Sequence, residues 1–250
     1  MSKINVNAVA PTATGDTLTL GASGDSVTIP TGGTLKTDKI ADAGGNNIIT
    51  SDGSGGLTID SQMSGSMSLV SSQTFSDVAS VEFKASAITN FNTTYPIYLV
   101  KIINIHPETN EGTLRMGFSS DDGSSYTGFN KTTTFIRWYR QNDDGTAGAP
   151  AIQSSFCLSN SSADPYISTA DCDDADTSYS GDVWLWNFAS TTLYKHYMSR
   201  MLGQYVASGY VAMYEEWSAG SMKTTSDIDA FRLISSSGNI TGTVNLYGLG

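Results

Sequence analysis

The placement of aromatic residues limits what this chain can fold into more than any other feature of its sequence. Its 9 Phe, 12 Tyr and 4 Trp residues all lie between Phe75 and Gly250. Aromatic rings supply the largest buried areas of ordinary protein cores, so the first segment lacks the usual material for one. The sequence therefore predicts two regions with different architectures, and we place the boundary between residues 66 and 67.

The first region repeats a short motif in which polar and apolar residues alternate. The sequence reads GDTLTL over residues 15–20 and GDSVTI over residues 24–29, a weaker copy begins at Gly33, and LTI returns at 57–59. Each copy has the period-two alternation of a short β-strand. The glycines between the copies suit tight turns, because glycine tolerates positive φ.

A strand with only two inward apolar side chains cannot bury them alone. Stacked rungs, or three identical chains wound around one axis, would give these side chains a continuous interior. Residues 1–66 are therefore predicted to form a short repetitive β-stem in a homotrimer. The alternative is a flexible linker rich in Gly, Ser and Thr. The predicted seam of the stem consists of Leu18, Leu20, Val27, Ile29, Leu35, Leu57 and Ile59.

The second region, residues 67–250, has the pattern of an all-β domain. Runs rich in β-branched and aromatic residues predict strands at 96–105, 113–118, 133–140, 182–189, 204–217, 230–234 and 242–248. The sequence SDDGS at 120–124 indicates the turn of a hairpin. Residues 193–213 also fit helical spacing, but Gly203 and Gly209 favour a strand. Short strands at regular spacing are typical of a β-sandwich or jelly-roll-like domain.

The charge balance excludes some classes of partner. With 13 basic and 24 acidic residues the net charge is -11, whereas sequence-independent nucleic-acid binding needs clustered Lys and Arg. No apolar run approaches the roughly 20 residues that cross a bilayer, and residues 1–5 have no apolar signal-peptide core. We therefore expect no nucleic-acid partner, no membrane insertion and assembly in a reducing compartment. That compartment favours free thiols at Cys157 and Cys172 over a disulfide.

The sequence offers no convincing catalytic group. His106 and His196 are the only histidines, and neither lies near a nucleophile motif or has metal-ligand spacing. A glycosidase needs two facing carboxylates, but Glu215 and Glu216 are consecutive and point to opposite faces of a strand. We therefore predict no catalytic residue, no metal ligand and no cofactor.

Two acidic motifs have simpler explanations than a ligand site. The run Asp171–Asp176 has the oxygen density that Ca²⁺ prefers, but it lacks the Gly and Glu of an EF-hand, so a solvated acidic loop is favoured. Residues 119–126 match the spacing of the Asp-box of sialidase-like propellers. The motif occurs once, so we interpret it as a turn in which Asp121 caps its own backbone.

The tryptophans are the candidate residues for binding a host receptor. Flat aromatic rings either pack in a core or stack on the faces of sugars, and core packing is the default expectation for these residues. Trp184 and Trp186 are two residues apart, so a strand would place them on one face. The candidate glycan or receptor contacts are Trp138, Trp184, Trp186 and Trp217.

Parts of this sequence resemble the tail-fibre and other virion-fibre proteins of marine bacteriophages. The stem-like tracts are GDTLTLGASGDSVTIP at 15–30, LKTDKIADAGGN at 35–46 and SDGSG at 51–55. The ending, IDAF at 228–231 followed by GNITGTVNLYGL at 238–249, is similar to the C-terminal strands of the β-domains on such fibres. These tracts cover about a fifth of the chain.

The resemblance implies a homotrimeric structural protein on the outside of a phage particle, assembled in the cytoplasm of the bacterial host. Its N-terminal segment would attach to other virion proteins, and its head could contact a glycan of the host surface. Many tail fibres begin with a larger anchoring domain than residues 1–14 offer here. Either these few residues insert into another protein of the particle, or the chain is a short fibre or a head-decorating protein. A tail fibre or short fibre is expected first, a capsid-decorating, head-fibre or cement protein second, and a polysaccharide depolymerase third.

Overall fold

The fold is that of a computed structural model, in which contacts divide the chain into two compact units, residues 1–63 and residues 64–250. The structure describes residues 37, 39–41, 47–51, 54, 57–59, 67–89, 91, 95–109, 112–142, 147–170, 176–207 and 210–250. In this part of the chain no helix is long and apolar enough to span a membrane. Each unit is described by itself below.

The described part of the first unit is a small antiparallel sheet. Its three strands, in sheet order, are β1 (Lys39–Ala41), β2 (Asn47–Ser51) and β3 (Leu57–Ile59). The LTI repeat at 57–59 is thus a strand, as its alternation predicts. The first five predicted seam residues, Leu18 to Leu35, lie outside the described residues, while Leu57 and Ile59 lie in β3.

The second unit consists of antiparallel strands in two sheets. In chain order the strands are β4 (Met67–Val78), β5 (Val81–Lys84), β6 (Ile97–Pro107), β7 (Leu114–Ser119), β8 (Lys131–Gln141), β9 (Ala147–Ile152), β10 (Tyr166–Ser168), β11 (Tyr179–Trp186), β12 (Lys195–Ala207), β13 (Tyr210–Met222), β14 (Ala230–Ser235) and β15 (Ile240–Leu249). One sheet has the order β10-β7-β14-β5, and the other has the order β4-β15-β6-β11-β12-β13-β8-β9. A 3-10 turn, Ser154–Phe156, follows β9.

One hydrophobic core joins the two sheets, because every second side chain of their strands points into it. Phe118 of β7 and Tyr197 of β12 come from different sheets, and their ring centroids are 5.7 Å apart. In the four-stranded sheet, Phe231 of β14 stacks on Phe83 of β5 at 4.7 Å. Phe91, which follows β5, meets Phe231 edge to face and also contacts Tyr98 of β6.

Two lysines are buried at the ends of strands of the eight-stranded sheet. The Lys131 ammonium donates to the carbonyl of Ser162 at 2.9 Å, and the Lys195 ammonium donates to the carbonyls of Ser190 at 2.5 Å and Leu193 at 3.1 Å. Burial lowers the pKa of both lysines, because it disfavours the charged form. Backbone carbonyls thus replace the water that each ammonium loses.

The prediction of an all-β chain is confirmed, and most predicted strands are present. The predicted hairpin around residues 120–124 is wrong, because β7 pairs with β14 and β10 while β8 belongs to the other sheet. The single predicted strand at 204–217 is also wrong, since β12 ends at Ala207 and β13 begins at Tyr210. The preference for strand over helix at 193–213 is confirmed.

The long strand β4 was not predicted. Its sequence, MSLVSSQTFSDV, is rich in serine and has few large apolar residues. The strand lies at one edge of the eight-stranded sheet and pairs with β15, near the end of the chain. Because β4 has few apolar residues, its strand conformation depends mainly on pairing with β15. Local sequence patterns contain no information about a partner so far away in the chain.

Candidate binding face

The eight-stranded sheet has one face on the core and a second face that points away from it, which we call the outer face. Alternation assigns the side chains: Val183 and Leu185 of β11 are fully buried in the core, so Trp184 between them points outward. In-register pairing extends this assignment to the neighbouring strands. Trp184 lies between Leu99 of β6 and Met198 of β12.

The outer face is unusually apolar for an exposed surface. Most of the large hydrophobic side chains that are exposed in the described residues lie on it. They are Met67, Leu69, Ile103, Ile152, Met198, Leu202, Val211, Met213 and Trp217. Single exposed apolar residues are ordinary on proteins, but a continuous patch of them marks a surface that binds something.

All four candidate tryptophans lie on the outer face, in two pairs. Trp184 and Trp186 stack with ring centroids 6.2 Å apart and planes 16° from parallel, as their spacing in one strand predicts. Trp138 of β8 and Trp217 of β13 lie 6.1 Å apart. None of the four belongs to the core cluster. The structure therefore excludes core packing for these residues and leaves their rings available at a surface.

Two ion pairs cross the centre of the outer face. Lys101 of β6 lies 2.8 Å from Asp182 of β11, and Arg200 of β12 lies 2.6 Å from Glu215 of β13. The Arg200 guanidinium also lies 5.4 Å from the ring centroid of Trp217. Since Lys101, Asp182, Arg200 and Trp217 are in register, they form a row across four strands, which we call the central row.

One end of the outer face is indented by two neighbouring surface pockets. The first has a volume of about 280 Å³ and the second about 400 Å³. Gln204 and Met213 line both pockets, Asn104 and Ser180 help to line the first, and Arg140 helps to line the second. This end of the face combines amide, hydroxyl and guanidinium groups with apolar side chains.

Glu215 and Glu216 point to opposite faces, as predicted from their adjacency. Glu216 is fully buried on the core side, where it accepts hydrogen bonds from the hydroxyls of Ser168 (2.5 Å) and Thr169 and from the amide of Thr169 at 2.8 Å. Burial raises the pKa of the Glu216 carboxyl, and these hydrogen bonds oppose that increase. The two carboxylates cannot flank one glycosidic bond.

The buried Glu216 carboxyl predicts a pH-dependent stability. A raised pKa means that the folded state keeps its proton at pH values where the unfolded state, with a pKa near 4.5, has released it. The contribution of this carboxyl to the free energy of unfolding is therefore largest at low pH, and it decreases as the pH rises from about 4.5 through the pKa of the folded state. We expect E216Q to remove this decline, which urea unfolding between pH 4 and pH 7 would measure. The E215Q variant is the matched control on the outer face and should keep the decline; parallel profiles for wild type and E216Q would contradict the prediction.

The Asp-box-like sequence forms a capped turn. The Asp121 carboxylate accepts from the Ser119 hydroxyl at 2.6 Å and from the Ser125 amide at 2.8 Å, and the Ser119 hydroxyl oxygen accepts from the Gly123 amide at 3.0 Å. The hydrogen bond from Ser119 is the main cause that lowers the pKa of Asp121. The structure bears out backbone capping by Asp121, although the turn links two sheets and does not close a hairpin.

The remaining candidate groups do not assemble into a site. His106 lies at the end of β6, where its Nδ1 is 2.8 Å from the carbonyl oxygen of Thr177, and His196 is exposed beside Trp186. In the described part of the chain no three His, Cys, Asp or Glu side chains cluster as metal ligands would. Cys157 is a free thiol. Cys172, and most of the acidic run at 171–176, lie outside the described residues.

Sequence reasoning missed the central row. Lys101, Asp182 and Arg200 come from strands far apart in the chain, so no spacing between them points to a common site. The available signal was alternation: each is flanked by residues that point into the core.

Comparison with protein-family models, with curated proteins and with solved structures found no match for this chain.

Proposed function

We propose that this protein is a structural component of a bacteriophage virion, a surface fibre of the tail-fibre or short-fibre type. The observation that carries the proposal is the division of the sequence into a repetitive, aromatic-free segment and an aromatic-rich antiparallel β unit. In this proposal residues 1–66 form a trimeric β-stem that attaches to other virion proteins. Residues 67–250 form a β-sandwich or jelly-roll-like head. The resemblance of both ends of the sequence to phage fibres supports the same role.

The outer face supports a function in recognition. The parallel rings of Trp184 and Trp186 present flat apolar surfaces next to the charged side chains of Asp182 and Arg200. Stacking on a ring together with hydrogen bonds to neighbouring polar groups is how proteins orient a small polar ligand such as a sugar. A glycan of the host surface is therefore one ligand that this face suits, with Trp138 and Trp217 as the second pair of rings.

A capsid-decorating, head-fibre or cement protein is the second candidate. The observation in its favour is the extent of the apolar outer face, since a decorating protein needs broad contacts with neighbouring virion subunits. Immunogold labelling of purified phage particles with an antibody to this chain tests both candidates. Gold at the tail would support a fibre of the tail, gold spread over the head would support decoration, and unlabelled particles with a labelled host lysate would contradict a virion protein.

A polysaccharide depolymerase, the third expectation, has weaker support. Its chemistry requires two carboxyl groups on either side of a glycosidic bond. Glu215 and Glu216, the adjacent pair considered from the sequence, are divided between the two faces of β13. Incubation with envelope polysaccharide of the host tests this candidate, because shortening of the polymer would require an enzyme.

The trimeric stem predicts a specific change in mass on truncation. If residues 1–63 hold three chains together, their removal should lower the number of chains per particle about threefold, while the second unit keeps its own core. Light scattering on the full chain and on residues 64–250 would measure this number. Circular dichroism of the truncated protein is the control for folding. An unchanged number of chains would contradict a stem that trimerises.

A further inference from the structure

We propose that the outer face is a self-association surface, on which a second copy of this chain packs face to face around a twofold axis. The axis would run parallel to the strands, between β11 and β12. The inference goes beyond the proposed function, because it holds whether or not the chain belongs to a virion, and it gives the outer face a protein partner instead of a host glycan.

The first argument is the charge of the face compared with that of the chain. The chain has a net charge of -11, so two copies repel each other over most of their surfaces. At the centre of the outer face, Lys101 neutralises Asp182 and Arg200 neutralises Glu215. Both carboxylates therefore enter an interface already paired, which lowers the cost of removing them from water.

The second argument is that the central row is complementary to itself. The row reads Lys101, Asp182, Arg200, Trp217 across β6, β11, β12 and β13. A twofold axis between β11 and β12 reverses this order in the opposite copy. Asp182 then faces the partner's Arg200, and Lys101 faces the partner's Trp217, so an ion pair and a cation–π contact each form twice.

The next row along the strands brings an aromatic ring opposite a methionine. It reads Leu99, Trp184, Met198, Ala219 across the same four strands. The same axis places Trp184 against the partner's Met198, while Leu99 is already buried within its own chain. The thioether of a methionine packs well against an aromatic ring, so this contact also forms twice.

The face is also large enough for a stable interface. With strands about 4.8 Å apart and about 3.3 Å per residue, eight strands of some ten residues span roughly 1,000 Å². Each partner in a standard protein interface buries roughly 800 Å². Sheets that pack face to face lie about 10 Å apart, a gap that outward tryptophan and methionine side chains fill.

Two charge-reversal variants of the full chain test the pairing. In D182K, the substituted side chain would face the partner's Arg200, so two repulsive contacts replace two attractive ones; in R200E, the substituted side chain would face the partner's Asp182 with the same result. Each variant alone should have half the number of chains per particle of the wild type. When the two variants are mixed in equal amounts, a pair made of one copy of each again has opposite charges at both facing positions. The number of chains per particle should therefore return to the wild-type value.

Light scattering and native mass spectrometry would read the outcome. The matched controls D176K and K223E make the same charge changes at exposed loop positions and should keep the wild-type mass. A wild type of six chains, or of two if the stem does not trimerise, that halves in each variant and recovers in the mixture would support the inference. Loss of the stem should lower the number of chains per particle about threefold, whereas loss of the face-to-face pairing should lower it twofold. The two factors differ, so the failure of the stem proposal can be told apart from the failure of the pairing proposal.

Three results would overturn the pairing. A wild-type particle of three chains or one would show that the faces do not associate. Unchanged masses for D182K and R200E, or a mixture that stays at half the wild-type number, would reject this geometry. Binding of a host-surface oligosaccharide to such an unpaired protein, abolished by W184A, would assign the face to a sugar.

Discussion

Replacement of Phe231 by alanine is expected to lower the free energy of unfolding by about 3–5 kcal/mol. Phe231 is fully buried on β14, the strand between β7 and β5. Its ring stacks on Phe83 at 4.7 Å and meets Phe91 edge to face at 5.8 Å. Because rigid β-strands surround the site, the cavity cannot close easily, and the neighbouring rings would lose their contacts.

Urea unfolding of F231A and wild type, followed by tryptophan fluorescence, would measure this loss. Tyr194 is an exposed aromatic residue in the loop before β12, so Y194A removes a ring of similar size and should change stability by only about 0.5 kcal/mol or less. Equal losses for F231A and Y194A would show that Phe231 does not lie in a packed core.

The G181A substitution is expected to destabilise the protein by about 1–3 kcal/mol although it adds a single methyl group. Gly181 lies in β11, paired with β6 on one side and β12 on the other. A Cβ atom there would lie 2.2 Å from the backbone oxygen of Arg200 and 2.9 Å from the Cα of Met201. Backbone atoms of a central strand cannot move aside cheaply, so we expect the upper part of this range.

The chain contains a matched control for this prediction. Gly128 lies in the segment between β7 and β8, and an added Cβ there meets no atom within 4 Å. The G128A variant should therefore have nearly wild-type stability in the same urea experiment. A G181A variant as stable as G128A would mean that β11 and β12 are further apart than in this structure.

The outer-face variants and the core variants report on different properties. F231A and G181A act on the free energy of unfolding, whereas D182K and R200E act on the number of chains per particle. The ion pairs Lys101–Asp182 and Arg200–Glu215 are partly exposed, so their loss should cost only about 0–1 kcal/mol of fold stability. Association of folded chains raises the unfolding midpoint by mass action, so an unfolding midpoint that rises with protein concentration in the wild type but not in D182K or R200E would identify the outer face as an interface.

Local pattern in the sequence was sufficient for several features of this protein. The all-β class and the strands β6, β7, β8, β11 and β14 follow from runs of β-branched and aromatic residues. The common face of Trp184 and Trp186 and the opposite faces of Glu215 and Glu216 follow from the period-two alternation of a strand. The capped turn at Asp121 follows from the short range of Ser and Asp hydrogen bonds. Each of these features depends on residues within a few positions of one another.

Only the tertiary structure decided which sheet each strand joins and which side of it faces the core. The turn at 120–124 suggested that β7 pairs with β8, yet β7 pairs with β14, and β15 pairs with the unpredicted β4. The pairing of the strands and the direction of their inner faces place the four tryptophans on an exposed surface and not in the core. They also place Lys101, Asp182 and Arg200 in one row. Alternation fixes which residues share a face, but the partner of a strand and the direction of its inner face depend on packing against residues far away in the chain.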